Sequence, residues 1–140
     1  EMLRGAGAAD GSLEGTALID PTNAVEHGVG VVLTGPGEAM AWRIAGLSPG
    51  AHVVKAFHLF PSEQWTRSRA AGEPPVTVVM CGDDPEALRV TGELVRDVGG
   101  VPAVLGSLDR ARQLEEVAGF VIGLAFAGAD PGSAVPSAAA

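Results

Sequence analysis

Lysine is almost missing from this sequence: Lys55 stands alone among 140 residues, and the net charge is −8. A surface so poor in clustered Lys and Arg argues against a nucleic-acid partner, which is held through neutralised phosphates. It argues equally against anionic membrane surfaces. Cysteine is as scarce. Cys81 has no second cysteine to pair with, which excludes an internal disulfide framework and fits a reducing cytoplasm. No charged leader with an apolar core opens the chain, so no signal peptide is read there. The longest apolar run, Val117 to Gly128, is shorter than the roughly 18–20 residues that span a bilayer. Several catalytic signatures are missing too. There is no Gly-x-Ser-x-Gly elbow and no Walker lysine motif. His27, His52 and His58 lack metal-ligand spacing.

What remains is a globular composition, 46% hydrophobic and 19% charged, in a chain of one-domain size. Residues 1–10 read as a helix end running from Met2-Leu3 into a Gly/Ala-rich turn. Thr16 to Asp20 is a short apolar run between Gly15 and Pro21, the pattern of a buried parallel strand. A Gly-rich loop over 24–36 leads to a helix expected from about Gly37 to Leu47, with Met40, Ile44 and Leu47 on one face and Pro49-Gly50 as its stop. Ala51 to Phe57 is the next strand. A connection over 58–74 follows, with a short helix around Ser62–Trp65, and then a strand from Val76 to Met80. Asp84-Pro85-Glu86 is a helix start by chemistry: the aspartate caps free amides, proline fits the first turn, and glutamate suits the positive end of the dipole. Ala87, Leu88, Thr91, Leu94, Val95 and Val98 repeat at helical spacing until Gly99-Gly100. Val101 to Leu105 is a strand whose pairing direction the pattern leaves open. Ser107 caps a final helix to about Ala127. Residues 129–140 are small and proline-punctuated and read as a disordered tail. Short apolar strands alternating with helices predict an α/β fold with a mainly parallel sheet and helices on its faces.

Two strand ends are candidate sites, because ligands in open α/β sheets bind at the carboxyl ends of strands. The first is Asp20-Pro21-Thr22-Asn23. Asn23 can offer both a donor and an acceptor to a carboxamide, and it can equally serve as a local turn residue. The second is Lys55-Ala56-Phe57-His58-Leu59-Phe60. His58 taken alone fits a surface or capping histidine as well as a ligand contact. Trp65 could line the same pocket, though the core of the short helix suits it better. Gly35-Pro36-Gly37 invites comparison with the dinucleotide fingerprint, but Met40 stands where the third glycine belongs. No acidic residue ends the next strand, so an ordinary Gly-rich approach to a helix is the reading. Asp83 and Asp84 are explained by helix capping. Cys81 reads as a small packed apolar residue. No catalytic acid or base stands out.

Two segments carry a family resemblance: Cys81-Gly82-Asp83-Asp84, and Gly106-Ser107-Leu108-Asp109-Arg110-Ala111-Arg112-Gln113-Leu114-Glu115. Together they resemble the C-terminal half of the F420-dependent NADP reductase family, and the match runs from about Gly15 to Leu124. Related metalloreductase domains share a similar Gly-Ser-Leu run, so the substrate is not fixed by it. The resemblance implies a partial Rossmann-like fold ending in a long helix. It implies hydride transfer between NADP and coenzyme F420 or another flavin, a chemistry that asks the protein to orient rings and exclude water rather than supply an acid. It implies Asn23, His58 and Phe60 as cofactor contacts. Phe60 replaces a smaller aliphatic residue common in the family. No catalytic residue and no metal are assigned. It further implies a homodimer through the helix at about 107–127, whose apolar second half calls for cover on every side. Gly119 and Gly123, four apart, would let a partner helix come close. Residues 1–128 are then expected to be the back portion of a cytoplasmic NADP-binding domain whose glycine fingerprint lies outside the chain. NADP affinity would be severely reduced, and an open sheet edge would favour association. The competing expectation is a non-catalytic, self-associating α/β module.

Overall fold

The computed structural model describes residues 2–5 and 8–136, and the first and last few positions of the expected helix end and tail lie outside that set. Helix α1 spans Met2–Gly5. Strand β1 (Ala17–Asp20), helix α2 (Met40–Leu47) and strand β2 (His52–Lys55) follow. Strand β3 (Thr77–Gly82), helix α3 (Pro85–Asp97), strand β4 (Val101–Gly106) and helix α4 (Ala111–Phe126) complete the order. The four strands form one sheet in sequence order, β1-β2-β3-β4. The expected α/β fold with a mainly parallel sheet and a long C-terminal helix is what forms.

Side chains alternate across the sheet. Val54, Ala56, Val78 and Met80 face α3, where they meet Ala87 and Val95. Val53 and Cys81 face the other way and pack with Ala39, Ala41, Ala111 and Leu114 from the α2–α4 side. Cys81 is fully buried, and burial pushes its thiol up to about 11. It is the inert packing residue that was expected.

β1 pairs β2 in parallel and β3 pairs β4 in parallel, whereas β2 and β3 run antiparallel. The direction left open for the last strand is therefore parallel, and the reversal falls one step earlier. Its register is short, Val54 with Gly82 and Lys55 with Cys81. Phe57 marks where it stops: its φ of 63 is left-handed, a costly setting for a bulky residue, and the regular pairing with β3 ends before it. At the outer side of β4, Pro102 withholds a ladder donor, a usual way of blunting an edge strand. β1 is the other edge. It borders an apolar groove of about 490 Å³ formed with Met40, Ile44 and Leu47.

Several boundaries moved for identifiable reasons. α2 starts at Met40, not near Gly37, because Gly37 turns at a φ of 71 and Ala39 is extended. Its first amides are satisfied by a distant side chain: Glu115 accepts Met40 N at 2.9 Å and Ala41 N at 3.1 Å. Asp84 caps α3 as the sequence indicated, accepting Ala87 N at 2.8 Å. Ser107 makes no side-chain cap. Asp83 accepts Leu108 N at 2.9 Å instead, and a 3-10 turn over Leu108–Arg110 precedes α4. Within the segment read as a tail, Pro131–Ala134 form a 3-10 turn capped by Asp130.

The Gly-rich loop is a small hairpin closed by a Val25–Val32 bridge. It lies against α4, and this changes the reading of Gly119 and Gly123. A Cβ on Gly119 would sit 2.3 Å from Gly30 O, and one on Gly123 would sit 2.9 Å from Val29 O. The close approach these glycines permit is used by the chain's own loop, not by a partner helix. The apolar second half of α4 is not enclosed either: Phe120 and Phe126 are 52% and 56% exposed.

Candidate functional site

The carboxyl ends of β1 and β2 lie side by side because the two strands are parallel and in register from Ala17–His52 to Asp20–Lys55. The two candidate segments therefore meet. Asn23 Nδ2 donates to His58 O at 2.6 Å across 35 residues of sequence. With that N–H committed, the Asn23 carboxamide keeps an acceptor oxygen and a second N–H for another group. Asn23 itself is exposed, while His58 is 95% buried at 5% relative exposure.

His58 is electrostatically unusual. Burial, reinforced by the Lys55 ammonium and partly offset by Asp20, pushes its pKa down from 6.5 to about 4. The imidazole is neutral at physiological pH, and its Nδ1 is buried without a protein partner. Phe60, the third predicted contact, packs edge-on against Phe57 at 5.6 Å and against Trp65 at 5.1 Å between ring centroids. Trp65 also lies 4.9 Å from Phe57. The tryptophan stands on the expected short helix, a 3-10 turn over Ser62–Trp65, but it is half exposed rather than core. Phe57 and Trp65 line an apolar cavity of about 280 Å³ with Ile19, Pro21, Leu94 and Val98. Rings of this kind offer flat apolar faces with defined stacking geometry.

Below the strand ends lies a buried charge cluster that sequence reasoning missed. Lys55 Nζ, fully buried, donates to Asp20 Oδ2 at 3.0 Å and to Thr22 O at 2.6 Å, and lies 3.2 Å from Glu115 Oε1. Asp20 in turn accepts Thr22 N at 2.9 Å and Thr22 Oγ1 at 2.6 Å. The signal was available: a lone lysine set between Val54 and Ala56 in a buried strand needs carboxylates around it.

Gly35-Pro36-Gly37 does not form a phosphate cradle. Glu38 Oε2 accepts Gly35 N at 3.1 Å, placing a carboxylate where an anion would have to bind. Arg43 and the Gly35 N–H hold that carboxyl below the usual range. Arg112 Nη1 ties the loop down through Gly35 O and Glu38 O, at 2.7 and 2.6 Å. Among the described residues no cluster of His, Cys, Asp or Glu could hold a metal ion, and His52 reaches only Asp84, at 3.9 Å. Among them, too, no helix is long and apolar enough to cross a membrane.

No protein-family model matches the chain. Over 74 residues, 53% of the chain, it is 34% identical to metalloreductase STEAP3 of Rattus norvegicus, of which the match covers 15%. A solved structure of a candidate F420-dependent NADP-reductase from Arthrobacter sp. FB24 superposes on 92% of the chain with a TM-score of 0.72 and 24% identity. The fold is that of the F420-dependent NADP reductase-like proteins. The solved structure of a hypothetical protein from Sinorhizobium meliloti superposes on 70% of the chain, with a TM-score of 0.61 and 26% identity. The chain covers 60% of the Arthrobacter structure and 48% of the Sinorhizobium one, so it corresponds to part of each. Within that fold the strand-end pair Asn23–His58 sits at the edge where α/β sheets take their ligands.

Proposed function

We propose that this chain supplies the nicotinamide-side wall of an oxidoreductase that passes hydride between NADP(H) and coenzyme F420 or another flavin. The observation that supports it best is the Asn23–His58 bridge, which joins two parallel strand ends beside an apolar, aromatic-lined cavity. A nicotinamide carboxamide needs a donor and an acceptor in one plane, and the uncommitted half of the Asn23 amide offers both. The bound cofactors would supply the redox chemistry; the protein would orient their rings and keep water away. Neutral His58 and the Phe57–Phe60–Trp65 cluster suit that role, since neither adds charge beside a ring. Phe60 would shape the flavin side of the pocket.

The residues fit one half of the dinucleotide and not the other. The Gly35 amide is already held by Glu38, so the pyrophosphate has no cradle here. Under this reading the phosphate-binding unit adds at the open edge of β1, over the apolar groove beside Met40 and Ile44. Self-association would use the exposed apolar face of α4 with the loop packed on it, where Val117, Phe120 and Phe126 join Val29, Val31 and Leu33. The acidic chain with its buried thiol is proposed to work in the cytoplasm.

The test is titration of the 140-residue chain with nicotinamide mononucleotide and, in parallel, with NADPH followed by fluorescence. The mononucleotide should shift the Asn23 side-chain amide signals, and Asn23→Ala should abolish binding. Equal binding by Asn23→Ala would overturn the site, and tight NADPH binding by the chain alone would overturn the absent cradle. The second reading, a self-associating module without turnover, is favoured by that same uncovered α4 face. Sedimentation that gives a dimer with no nicotinamide response would select it.

A further inference from the structure

The lysine cluster does more than fill the core. Lys55 Nζ has three donors and three acceptors around it, one each from β1, the turn after β1, and α4. Glu115, the α4 member, also binds the two leading amides of α2. Asp20 and Lys55 together hold Thr22 through its N–H, hydroxyl and carbonyl. The next residue is Asn23. Its own anchor, His58 O, belongs to the chain leaving β2 three residues after Lys55. A single buried ammonium thus joins the C-terminal helix to both halves of the candidate site. The three charged members, Lys55, Asp20 and Glu115, are buried, and there a lost partner leaves a charge uncompensated. The geometry gives α4 no way to shift by a helical turn while Glu115 stays on Lys55, so movement of α4 must be felt at the strand ends.

We propose that Glu115 is a positioning residue for the nucleotide edge: acting through Lys55, it fixes the Thr22–Asn23 turn, so that the state of α4 and the readiness of Asn23 are one equilibrium. This rests on the assignment of Asn23 to the nicotinamide. It adds that whatever covers or releases α4 sets the affinity at that edge, by the reciprocity of linked sites.

The sequence makes the test clean. Lys55 is the single lysine and Asn23 the single asparagine, so selective 15N labelling gives one side-chain signal for each. In the unmodified chain the buried ammonium should be visible and slowly exchanging, and the Asn23 amide pair should be dispersed by its bond to His58 O. Glu115→Gln should move the Asn23 signals and speed exchange of the Lys55 ammonium by about tenfold or more, the loss of its carboxylate partner. Leu114→Ala is the control: it truncates a core residue beside Glu115 on the same helix and removes none of the cluster's hydrogen bonds or ion pairs. It should lower stability and leave the Asn23 signal in place. An unmoved Asn23 signal in Glu115→Gln, or an equal displacement in Leu114→Ala, overturns the proposal. Should Glu115→Gln fail to fold, exchange in the unmodified chain decides. The Asn23 side-chain shifts and the exchange of the Met40 and Ala41 amides must follow one urea dependence, and separate dependences overturn the link. No ligand enters these measurements, so their failure is distinct from a failure to bind nicotinamide.

Discussion

Replacing Lys55 by methionine keeps the unbranched apolar stem of the side chain and removes the terminal ammonium with its charge and its donors. The consequences follow from three distances. The ammonium lies 3.0 Å from Asp20, 3.2 Å from Glu115 and 2.6 Å from Thr22 O, with all three partners' polar atoms turned inward. Asp20 and Glu115 are 1% and 2% exposed. In Lys55→Met two buried carboxylates face each other without a counter-charge, and neither can turn to water. Removing one member of such a set costs about 3–5 kcal/mol, most of it the penalty of stranding the others. Against a total of about 5–15 kcal/mol for a domain, that is a large share of stability. In a chain of this length each kcal/mol moves Tm by about 3–5 °C, so Tm should fall by about 10–20 °C. Urea unfolding followed by Trp42 and Trp65 fluorescence measures it, with an unchanged slope confirming that the folded state remains compact. Arg89→Ala is the contrast. Arg89 pairs with Glu86 and Glu93 on the exposed face of α3, both at 2.6 Å, and its removal should leave the midpoint where it was. If Lys55→Met lost less than about 1 kcal/mol, the range of an exposed ion pair, the cluster would not be the buried keystone described above.

Three further outcomes are expected. His58 titrates near 4 in the folded chain and near 6.5 when unfolded, so its contribution is intact above pH 6.5 and is lost as pH falls from 6.5 toward 4. The loss amounts to about 3 kcal/mol. His58→Gln should lack that acid-side loss, and identical pH profiles for the two proteins would contradict the buried neutral imidazole. Gly119→Ala puts a methyl group 2.3 Å from Gly30 O, so the 24–33 hairpin must lift at a cost of about 1–3 kcal/mol. Faster amide exchange at Glu26 and Leu33, which donate to Val31 O and Ala24 O across the hairpin, would register it, and unchanged protection would refute the packing. Cys81, buried and with its thiol raised to about 11, should resist iodoacetamide at neutral pH until urea unfolds the chain. Labelling of the native protein at the unfolded rate would disprove its burial.

The parts of this structure that were legible in the sequence are those written in neighbouring residues. Asp84-Pro85 announces α3 because a cap and a first-turn proline act within a few residues, and the aspartate does accept from Ala87. The meeting of Asn23 with His58 was legible one level up: two consecutive strands joined through a helix are parallel, and their carboxyl ends must adjoin. What stayed hidden depends on residues far apart. α2 has no cap of its own, so its start could not be read from 35–40; the acceptor is Glu115, about 75 residues away. Gly119 and Gly123 announce a close approach but not by whom, and the Gly30 loop occupies it. The reversal between β2 and β3 follows a long connection, which frees the chain to return in either direction, and Phe57 at positive φ begins that departure. Lys55 shows the general form of the difficulty. Its charge and its apolar neighbours are local facts, and together they demand buried carboxylates, yet which carboxylates answer is a property of the packing. Asp20 was one strand away and Glu115 sixty residues on. It is through that second, unforeseeable partner that the C-terminal helix reaches the strand ends that carry Asn23 and His58.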